Sequence, residues 1–557
     1  MRIQVVMMRN FMSLLQQGKS ATVNAKFGMQ DISGKTQKAQ PLLERGLSAH
    51  VVLGILLGIT ALRLYAIAAS PLGPGVDEAQ YWLWGQDLQL GYYSKPPLIA
   101  WLLGGVNMLF GQSAFTLRAS GPVLHLITGL ILWQAAAHLT KDNSADMCGR
   151  IAALLWLSLP AVGLGSFVMS TDSVMLPFWA GALYFVLACQ KITGQKITGQ
   201  KTNGQKTTSQ KTTGPSPSRY LFYMAAAGAA IGIASLAKYA GLYFIPCLIL
   251  FLYFFGDKAQ PRLAGFSVFL AGVVLASSPT WVWNLSNEFV TLFHLSENAN
   301  LEKQSYSFAS LAGFFFSQFA VLGPISFATL LTLPFIRKMR NGLSGGLHIF
   351  IWPIIGAICL QAFLSEANAN WAAASYPAAI LLLANFATQL RANWLARLML
   401  PAIIINLFMT ACLGVILAAG SFGIVTPKSD PLRRLRGWEV MAQKADRLAV
   451  QAGAGTVIAY SRASAALLHW HLADKGYYIA LPLPEEASGQ GNHYQRSYPL
   501  NPTSPRPWLA INEGAMPPQY SAQYSPQYLL DWQGPLAKTS IKISHRRTRD
   551  NSYWLAR

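Results

Sequence analysis

The sequence predicts an α-helical polytopic membrane protein with a small α/β domain at its C-terminal end, and three observations lead to this fold class. First, 52% of the 557 residues are hydrophobic and only 12% are charged, about half the charged share of a soluble protein. Second, apolar stretches recur with the ~20-residue length that crosses roughly 30 Å of hydrocarbon. Third, the last part of the chain, 421–557, is richer in charge and proline. Together they argue against a soluble globular enzyme.

The apolar stretches place the membrane part at 46–420. The candidate spans are 51–69, 98–110, 114–138, 150–169, 173–189, 220–236, 240–255, 263–283, 308–335, 347–364, 371–388 and 398–419. The stretch 98–110 is too short to cross, because about 13 residues at 1.5 Å each reach only ~20 Å. We therefore expect it to lie in the membrane plane or to be re-entrant, which leaves about 11 transmembrane helices.

Charge indicates the topology. The net charge is +21, and in a membrane protein basic residues mark cytoplasmic loops, so nucleic acid is not the expected partner. The basic segment 1–45 lacks the apolar core and cleavage site of a secretory signal, and we expect it to be cytoplasmic. The loop 190–219 has six basic and no acidic residues and repeats the unit KITGQ, which is typical of a flexible cytoplasmic loop. Eleven spans then put 421–557 outside.

The C-terminal region 421–557 carries a pattern of its own. GAGTVIAYSR, ASAALLHWHLADKG and YYIALP follow one another at 453–482 and predict strand, helix, strand. We therefore expect a small α/β extracytoplasmic domain. Six prolines between Pro499 and Pro518 favour loops in the tail. The five cysteines lie in or beside apolar segments, so we expect no disulfide framework.

The first outer loop, 70–113, brings acidic and basic residues to the membrane surface. Gly73-Pro74-Gly75 interrupts the chain after the first span, and Asp77 and Glu78 follow within an aromatic-rich stretch that suits the membrane interface. An acidic pair in this setting is a candidate catalytic group, although solvated loop charges are the simpler alternative. Lys95 precedes two prolines and is either a functional cation or a snorkelling anchor.

Polar residues recur at the other predicted outer loops, where ionisable groups at membrane depth are functional candidates. They are Asp172 in STDS, Lys238 in LAKYAG, His294 and Asn298 in FHLSENAN, and Asn370 in EANANW. A lone histidine is more often a packed or capping residue. One aqueous site, built from several outer loops, explains the whole set economically.

These segments carry a family resemblance over about residues 50–420. GVDEAQYWLW, LQLGYYSKPPLIAWL, STDSVMLPFW, LAKYAGL, WNLSNEFVTLFH and ANANW together resemble the membrane glycosyltransferases of the GT-C fold. The sequence is similar to the group of protein O-mannosyltransferases and lipid A aminoarabinose transferases, and in particular to its lipopolysaccharide galacturonic acid transferases. The Asp-Glu pair of the first outer loop is the most diagnostic element.

The resemblance implies an enzyme that takes a sugar from a polyprenyl-phosphate carrier and passes it to an acceptor on the outer side of the bilayer. It implies Asp77 as general base, Lys95 as the group that holds the donor phosphate, and Asp172 as the aspartate before the next span. Relatives with a metal beside that lysine have glutamate where this chain has Ser94. The resemblance therefore implies no metal or other cofactor for this chain.

Elementary chemistry agrees with these roles. Sugar transfer from a phosphodiester needs a carboxylate to take the acceptor's proton, while the leaving phosphate gains negative charge. Lys95 can meet that charge, with help from Lys238, His294 or Asn298. Phosphate is already a good leaving group, so a single carboxylate suffices for one inverting step. Glu78 would then orient Asp77 or the acceptor.

The resemblance, together with the charge pattern, thus implies an inverting glycosyltransferase of the bacterial inner membrane whose active site faces the periplasm and whose acceptor is an envelope lipid or glycan. The alternative is a transporter or flippase of lipid-linked sugar, which would favour paired repeats and charges at the bilayer midplane. A second alternative is a membrane scaffold that displays the C-terminal domain. The polar groups lie at one face and no paired repeats are evident, which favours the enzyme.

Overall fold

The structure is a computed structural model that describes residues 48–140, 144–190, 215–299, 306–390, 393–420, 431–482, 492–501, 503–513, 532–544 and 547–556. The predictions for the segment 1–45 and for the repeats of the loop 190–219 fall outside this part of the chain.

Helices dominate the described residues. In chain order they are α1 (Ala49–Ala69), α2 (Val76–Trp84), α3 (Leu98–Phe110), α4 (Ala114–Ala136), α5 (Ser144–Ser158), α6 (Pro160–Phe167), α7 (Thr171–Cys189), α8 (Pro217–Ala237), α9 (Phe244–Phe254), α10 (Arg262–Ser286), α11 (Val290–Ala299), α12 (Phe308–Val321), α13 (Pro324–Thr332), α14 (Arg337–Arg340), α15 (Gly342–Leu347), α16 (Trp352–Leu364), α17 (Tyr376–Gln389), α18 (Trp394–Arg397), α19 (Met399–Ala419), α20 (Trp438–Ala452), α21 (Arg462–His471) and α22 (His493–Ser497). Short 3₁₀ helices cover Tyr239–Tyr243, Leu333–Phe335, His348–Phe350, Ala369–Ser375 and Pro431–Leu435.

The predicted polytopic helical fold is confirmed, but the count of about 11 spans is not. Within the described residues, eight helices are long and apolar enough to cross a membrane, and two bent pairs raise the number to at most ten. The predicted span 240–255 corresponds to the 3₁₀ turn Tyr239–Tyr243 followed by α9, whose 11 residues reach only ~17 Å.

Two predicted spans, 150–169 and 308–335, are bent rather than straight. α5 and α6 meet at 57°, and α12 meets the helix that begins at Pro324 at 112°. Proline at the first position of the second helix has no N–H to continue the preceding helix. In the second pair Gly323 also has a φ of +86°, a conformation that glycine adopts without strain.

The centre of the bundle is formed by α7 and the segment Ala369–Gln389, which ends in α17. In the most apolar 18 residues of each, 78% and 94% of the residues are buried inside the protein. In the other long helices this share is 56% or less. Asp172 lies in the first turn of α7, and Asn370 lies at the start of the central segment. Both polar residues are thus carried by the most enclosed elements of the membrane part.

α3 spans the stretch 98–110 for which the sequence predicts a short non-crossing helix. Its last three residues are exposed and apolar: Met108, Leu109 and Phe110 are 79%, 75% and 72% exposed. Its middle packs against the end of α2 through two glycines, because a Cβ on Gly104 would lie 2.6 Å from the Gly85 carbonyl oxygen. At this contact the two backbones touch directly, which fixes the position of α2 on α3.

The C-terminal residues form a five-stranded mixed sheet in the order β2-β1-β3-β5-β4. Its strands are β1 (Thr456–Ile458), β2 (Tyr478–Ala480), β3 (Trp508–Glu513), β4 (Trp532–Ser544) and β5 (Arg547–Ala556). The predicted strand–helix–strand is confirmed as β1, α21 and β2, with β1 and β2 parallel. The expected loop-rich tail is wrong, since β3, β4 and β5 all follow Pro499.

α21 of this domain lies against α2 of the first outer loop. The Trp82 and Trp470 rings meet edge to face with centroids 5.0 Å apart, and the Gln112 amide donates to the Trp470 carbonyl oxygen at 2.9 Å. Since Arg462, at the start of α21, contacts Asp77 and Gln80 near the start of α2, the two helices run side by side in the same direction.

Candidate active site

Asp77 is held at the start of α2, where its carboxylate reaches solvent. Gly75 caps the helix, and Asp77 and Glu78 lie in its first turn, where the helix dipole favours a negative charge. The Asp77 side chain is 64% exposed. A carboxylate that is ionised and accessible can accept a proton from a bound hydroxyl group.

Arg462 pairs with Asp77 from the C-terminal domain. Its Nη2 donates to Asp77 Oδ1 at 2.5 Å, and its Nε donates to Gln80 Oε1 at 2.8 Å. The ion pair is partly exposed, so its contribution to stability is modest. Its geometric effect is clear, because one carboxylate oxygen of Asp77 is engaged and the described contacts leave Oδ2 for a substrate.

Glu78 has a different environment from its neighbour. It is 1% exposed and forms a bidentate ion pair with Arg118, with Oε1 2.9 Å from Nε and Oε2 2.7 Å from Nη2. The backbone N–H groups of Gly75 and Met169 also donate to it, at 2.8 and 2.9 Å. Four hydrogen bonds occupy the carboxylate, which ties the start of α2 to α4 and to the residues before α7. Glu78 therefore orients the helix that carries Asp77.

Asp172, Lys238 and Asn370 form one cluster, although they lie far apart in the sequence. Lys238 Nζ is 2.7 Å from Asp172 Oδ1, and Asn370 Nδ2 donates to Asp172 Oδ2 at 2.7 Å. Lys238 ends α8 and is followed by a tight turn, in which a Cβ on Gly241 would lie 2.9 Å from the Ser235 nitrogen. Asp172 thus holds the lysine and the amide in fixed positions.

Lys95 is the cation of the site without an ion-pair partner among the described residues. Burial lowers the pKa of its ammonium group, and repulsion by Lys238 lowers it further, while Asp77 and Asp172 act in the opposite direction. When an anion binds, it stabilises the charged ammonium form of a buried lysine that lies near a second cation. The neighbouring Ser94 contacts the Gln80 amide at 3.5 Å, so Gln80 links the Lys95 loop to Arg462.

His294 and Asn298 belong to α11, at the edge of this site. The His294 ring packs against Tyr93 with centroids 4.7 Å apart, two residues before Lys95. The Thr291 hydroxyl donates to the Tyr92 carbonyl oxygen at 2.9 Å, which joins α11 to the same loop. The Asn298 side chain lies outside the described residues.

The charges favour an anionic ligand. Three cations, Lys95, Lys238 and Arg462, accompany two carboxylates, and α2, α7 and α21 all begin here with the positive ends of their dipoles. Among the described residues, no three His, Cys, Asp or Glu side chains are placed to hold a metal ion.

Sequence reasoning missed Arg462, Gln80 and Arg118. Arg462 lies 385 residues from Asp77, in a domain whose motifs the resemblance does not cover. Arg118 did give a signal, because an arginine within an apolar helix needs a buried partner, and an acidic pair was available nearby.

Known proteins match this chain in sequence and in structure. A family model described as dolichyl-phosphate-mannose-protein mannosyltransferase matches residues 94–196. The lipid A galacturonosyltransferase RgtD of Rhizobium johnstonii is 28% identical over 491 residues, covering 86% of this chain and 93% of that protein. The crystal structure of ArnT from Cupriavidus metallidurans in the apo state superposes with a TM-score of 0.57 at 13% identity, over 91% of this chain and 97% of ArnT.

The chain is a membrane glycosyltransferase with the GT-C fold. A second ArnT structure, bound to undecaprenyl phosphate, superposes equally well, with a TM-score of 0.57, 14% identity and coverage of 91% and 98%. The resemblance given by the outer-loop motifs is confirmed. Two of those motifs, with Asp172 and Asn370, lie at the start of the glycosyltransferase's most buried segments.

Proposed function

We propose that this glycosyltransferase moves a sugar from a polyprenyl-phosphate carrier to an envelope glycolipid at the periplasmic face of the bacterial inner membrane, with inversion at the anomeric carbon. The proposal rests on one observation. The exposed carboxylate of Asp77 lies in the same region as three cations, which are Lys95, Lys238 and Arg462. A base and an anion site are the two parts that the reaction needs.

The base is Asp77. The acceptor hydroxyl oxygen attacks the anomeric carbon from the face opposite the phosphate, and its proton passes to Asp77 Oδ2. Arg462 holds Oδ1 at 2.5 Å and Glu78 holds the helix, so the free oxygen has a fixed direction. Positioning of this kind lowers the entropic part of the barrier.

The anion site is formed by Lys95 and Lys238. As the bond from the anomeric carbon to the phosphate oxygen breaks, its electron pair stays on that oxygen, and the polyprenyl phosphate leaves with one more negative charge. Lys95 meets this charge directly, while Lys238 is oriented by Asp172 and Asn370. Charge stabilisation in a partly buried site is a large contribution to catalysis.

The substrate classes follow from the similar proteins. RgtD is named for transfer of galacturonic acid to lipid A, and ArnT has been crystallised with undecaprenyl phosphate. These names support a polyprenyl-phosphate donor and a lipid A-type acceptor for this chain. His294, at the edge of the site, would contact the donor sugar, while a role for Asn298 stays a prediction from the sequence.

The test compares envelope lipids by mass spectrometry. Cells that lack the protein are complemented with the wild type, with Asp77→Asn, or with Asp474→Asn as a matched control, since Asp474 is 77% exposed on the C-terminal domain. We expect one sugar mass to be absent without the protein and reduced about 100-fold or more with Asp77→Asn. Asp474→Asn should restore it.

Two outcomes would contradict the proposal. Normal lipid modification with Asp77→Asn would remove this residue as base and would move that role to another carboxylate of the site, Glu78 or Asp172. Unchanged envelope lipids, together with a sugar missing from secreted proteins, would replace the glycolipid acceptor by a protein acceptor.

A further inference from the structure

A cavity of about 320 Å³ lies between the first outer loop and the C-terminal domain. Three distant segments line it: the end of α2 with the loop to Tyr93, the outer end of α10 with the residues after it, and α22 with Tyr498. Its size is at the lower end of the range for small-ligand sites, about 300–1,000 Å³. None of the charged residues of the candidate active site lines it.

Aromatic side chains form a fixed floor beneath this cavity, since Trp84 and Tyr92 are only 1% and 3% exposed. The Trp84 and Tyr92 rings stack with centroids 4.7 Å apart and an interplanar angle of 12°. The His493 ring meets Trp84 edge-on at 5.5 Å. The Tyr92 hydroxyl lies 2.8 and 2.9 Å from the carbonyl oxygens of Trp84 and Asp87. A floor that is held in place this way needs no ordering when a ligand binds above it.

Trp283 of α10 supplies a further aromatic wall and is anchored to the outer loop. Its Nε1 donates to Gln89 Oε1 at 3.1 Å. The ring lies so close to Gly91 that a Cβ there would be 2.8 Å from it. Glycine at this position therefore lets the loop approach the indole, which brings the membrane helix and the loop to the same cavity.

Polar groups complete the lining, with one carboxylate and one guanidinium among them. Asp87 accepts from the Gln89 amide at 2.7 Å, and the exposed Arg496 forms no ion pair with the described residues. Burial lowers the pKa of His493 to about 4, with repulsion by Arg462 as a second cause. The imidazole is therefore neutral at pH 7, and the lining carries little net charge.

This lining selects a chemical class of ligand. A polyprenyl chain would not fit a wall that contains a carboxylate and a guanidinium, and a phosphate group would favour several cations. A pyranose ring matches both parts, because its C–H faces pack on partly exposed aromatic rings, here Tyr93, Trp283 and Tyr498, while its hydroxyl edge bonds to amide and charged groups. We propose that the cavity binds a sugar ring of the acceptor glycan.

Position favours the acceptor over the donor as the source of that ring. Asp77 lies in the first turn of α2 and Trp84 at its end, so seven residues at 1.5 Å each separate them by about 10 Å. A glycan whose reacting hydroxyl lies at Asp77 would therefore place a neighbouring ring in the cavity. The acceptor assignment rests on the proposed function, whereas the binding of a saccharide does not.

Saturation-transfer NMR on the full-length protein in detergent tests binding directly. The probes are glucosamine, galacturonic acid and a disaccharide of glucosamine. Ser497→Trp fills the cavity from an exposed residue of its lining, and Gln451→Trp, on the exposed face of α20, is the matched control for bulk. We expect transfer to the ring C–H protons of at least one saccharide in the wild type, in Asp77→Asn and in Gln451→Trp, and its loss in Ser497→Trp.

Kinetics then distinguish acceptor from donor. Arg496→Ala removes a hydrogen bond to a charged group, so the acceptor KM should rise about tenfold while the donor KM and kcat stay within twofold. Lack of saccharide binding, or equal binding by Ser497→Trp, would overturn the proposal. Displacement of the saccharide by undecaprenyl phosphate would assign the cavity to the donor and overturn the acceptor role. Lost turnover in Asp77→Asn leaves the binding result unaffected.

Discussion

Asp77 and Arg462 form a pair whose two members come from opposite ends of the chain. Arg462 Nη2 donates to Oδ1 of Asp77 and so sets the direction of the carboxylate that acts as base. In Arg462→Ala the carboxylate loses this orientation, so kcat should fall about tenfold while the donor KM stays within twofold. Arg462→Lys should restore part of kcat, and Arg447→Ala, at an exposed position of α20, should leave kcat unchanged. Less folded protein in Arg462→Ala, with an unchanged kcat per folded molecule, would make Arg462 a purely structural residue.

Lys95 gives a prediction about the pH dependence of donor binding. Burial lowers the pKa of its ammonium group from the ordinary value of 10.5, followed by repulsion from Lys238. The ammonium charge that holds the donor phosphate is therefore present at lower pH and lost at a pH below 10.5. Lys95→Arg keeps the charge to higher pH, since a guanidinium does not deprotonate in this range. The alkaline limb of kcat/KM for the donor should then move upward, whereas Lys475→Arg should change nothing. If the alkaline limb does not move in Lys95→Arg, the alternative of Lys95 as a snorkelling membrane anchor is favoured.

The residues that the sequence could identify are those with a local signal. The structure brings the polar residues that follow or interrupt apolar segments at their predicted outer ends to one region: Asp77, Lys95, Asp172, Lys238 and Asn370. Their partners could not be read in the same way. Whether Glu78 is exposed or paired depends on Arg118, 40 residues away, and hydropathy carries no information on which side chains meet.

At the scale of elements, the contact between α2 and α3 determines where the end of α2 lies. A Cβ on Gly104 would meet the Gly85 carbonyl oxygen at 2.6 Å, whereas a Cβ on Gly105 has no heavy atom within 4 Å. Gly104→Ala should therefore lower stability by about 1–3 kcal/mol through overpacking, seen as a lower Tm in detergent, and should reduce turnover. Gly105→Ala, one residue along the same helix, should do neither. Equal Tm values for the two variants would show that α2 is free to shift.

Element positions were predictable where apolar length alone decides them. The predicted stretch 173–189 corresponds to α7, which begins at Thr171, and 98–110 to α3 itself. Bends depend on single residues such as Pro324, whose effect varies with the packing around it. The sheet tail was missed for a similar reason, because six prolines suggest loops while β4 and β5 gain their stability from pairing with each other.

At the scale of the whole molecule, the topology is still a prediction from charge. Single cysteines placed at Thr202 and Thr503, in a variant without the five native cysteines, should label from opposite sides of intact cells. Thr503 is preferred to its neighbour Ser504, which is only 5% exposed. Labelling of both positions from outside would contradict the 11-span model. It would also require the bent pair α12–α13 to be re-entrant or α9 to be a partial span.

The exposed apolar end of α3 connects the site to the lipid around it. Met108, Leu109 and Phe110 have no protein cover among the described residues, and such side chains settle at a depth that the acyl chains determine. Because α3 touches α2 through Gly104, that depth also sets the height of Asp77 above the hydrocarbon. Bilayer thickness should thus tune catalysis, with a maximum rate in vesicles whose acyl chains match the native membrane and lower rates in thinner or thicker ones.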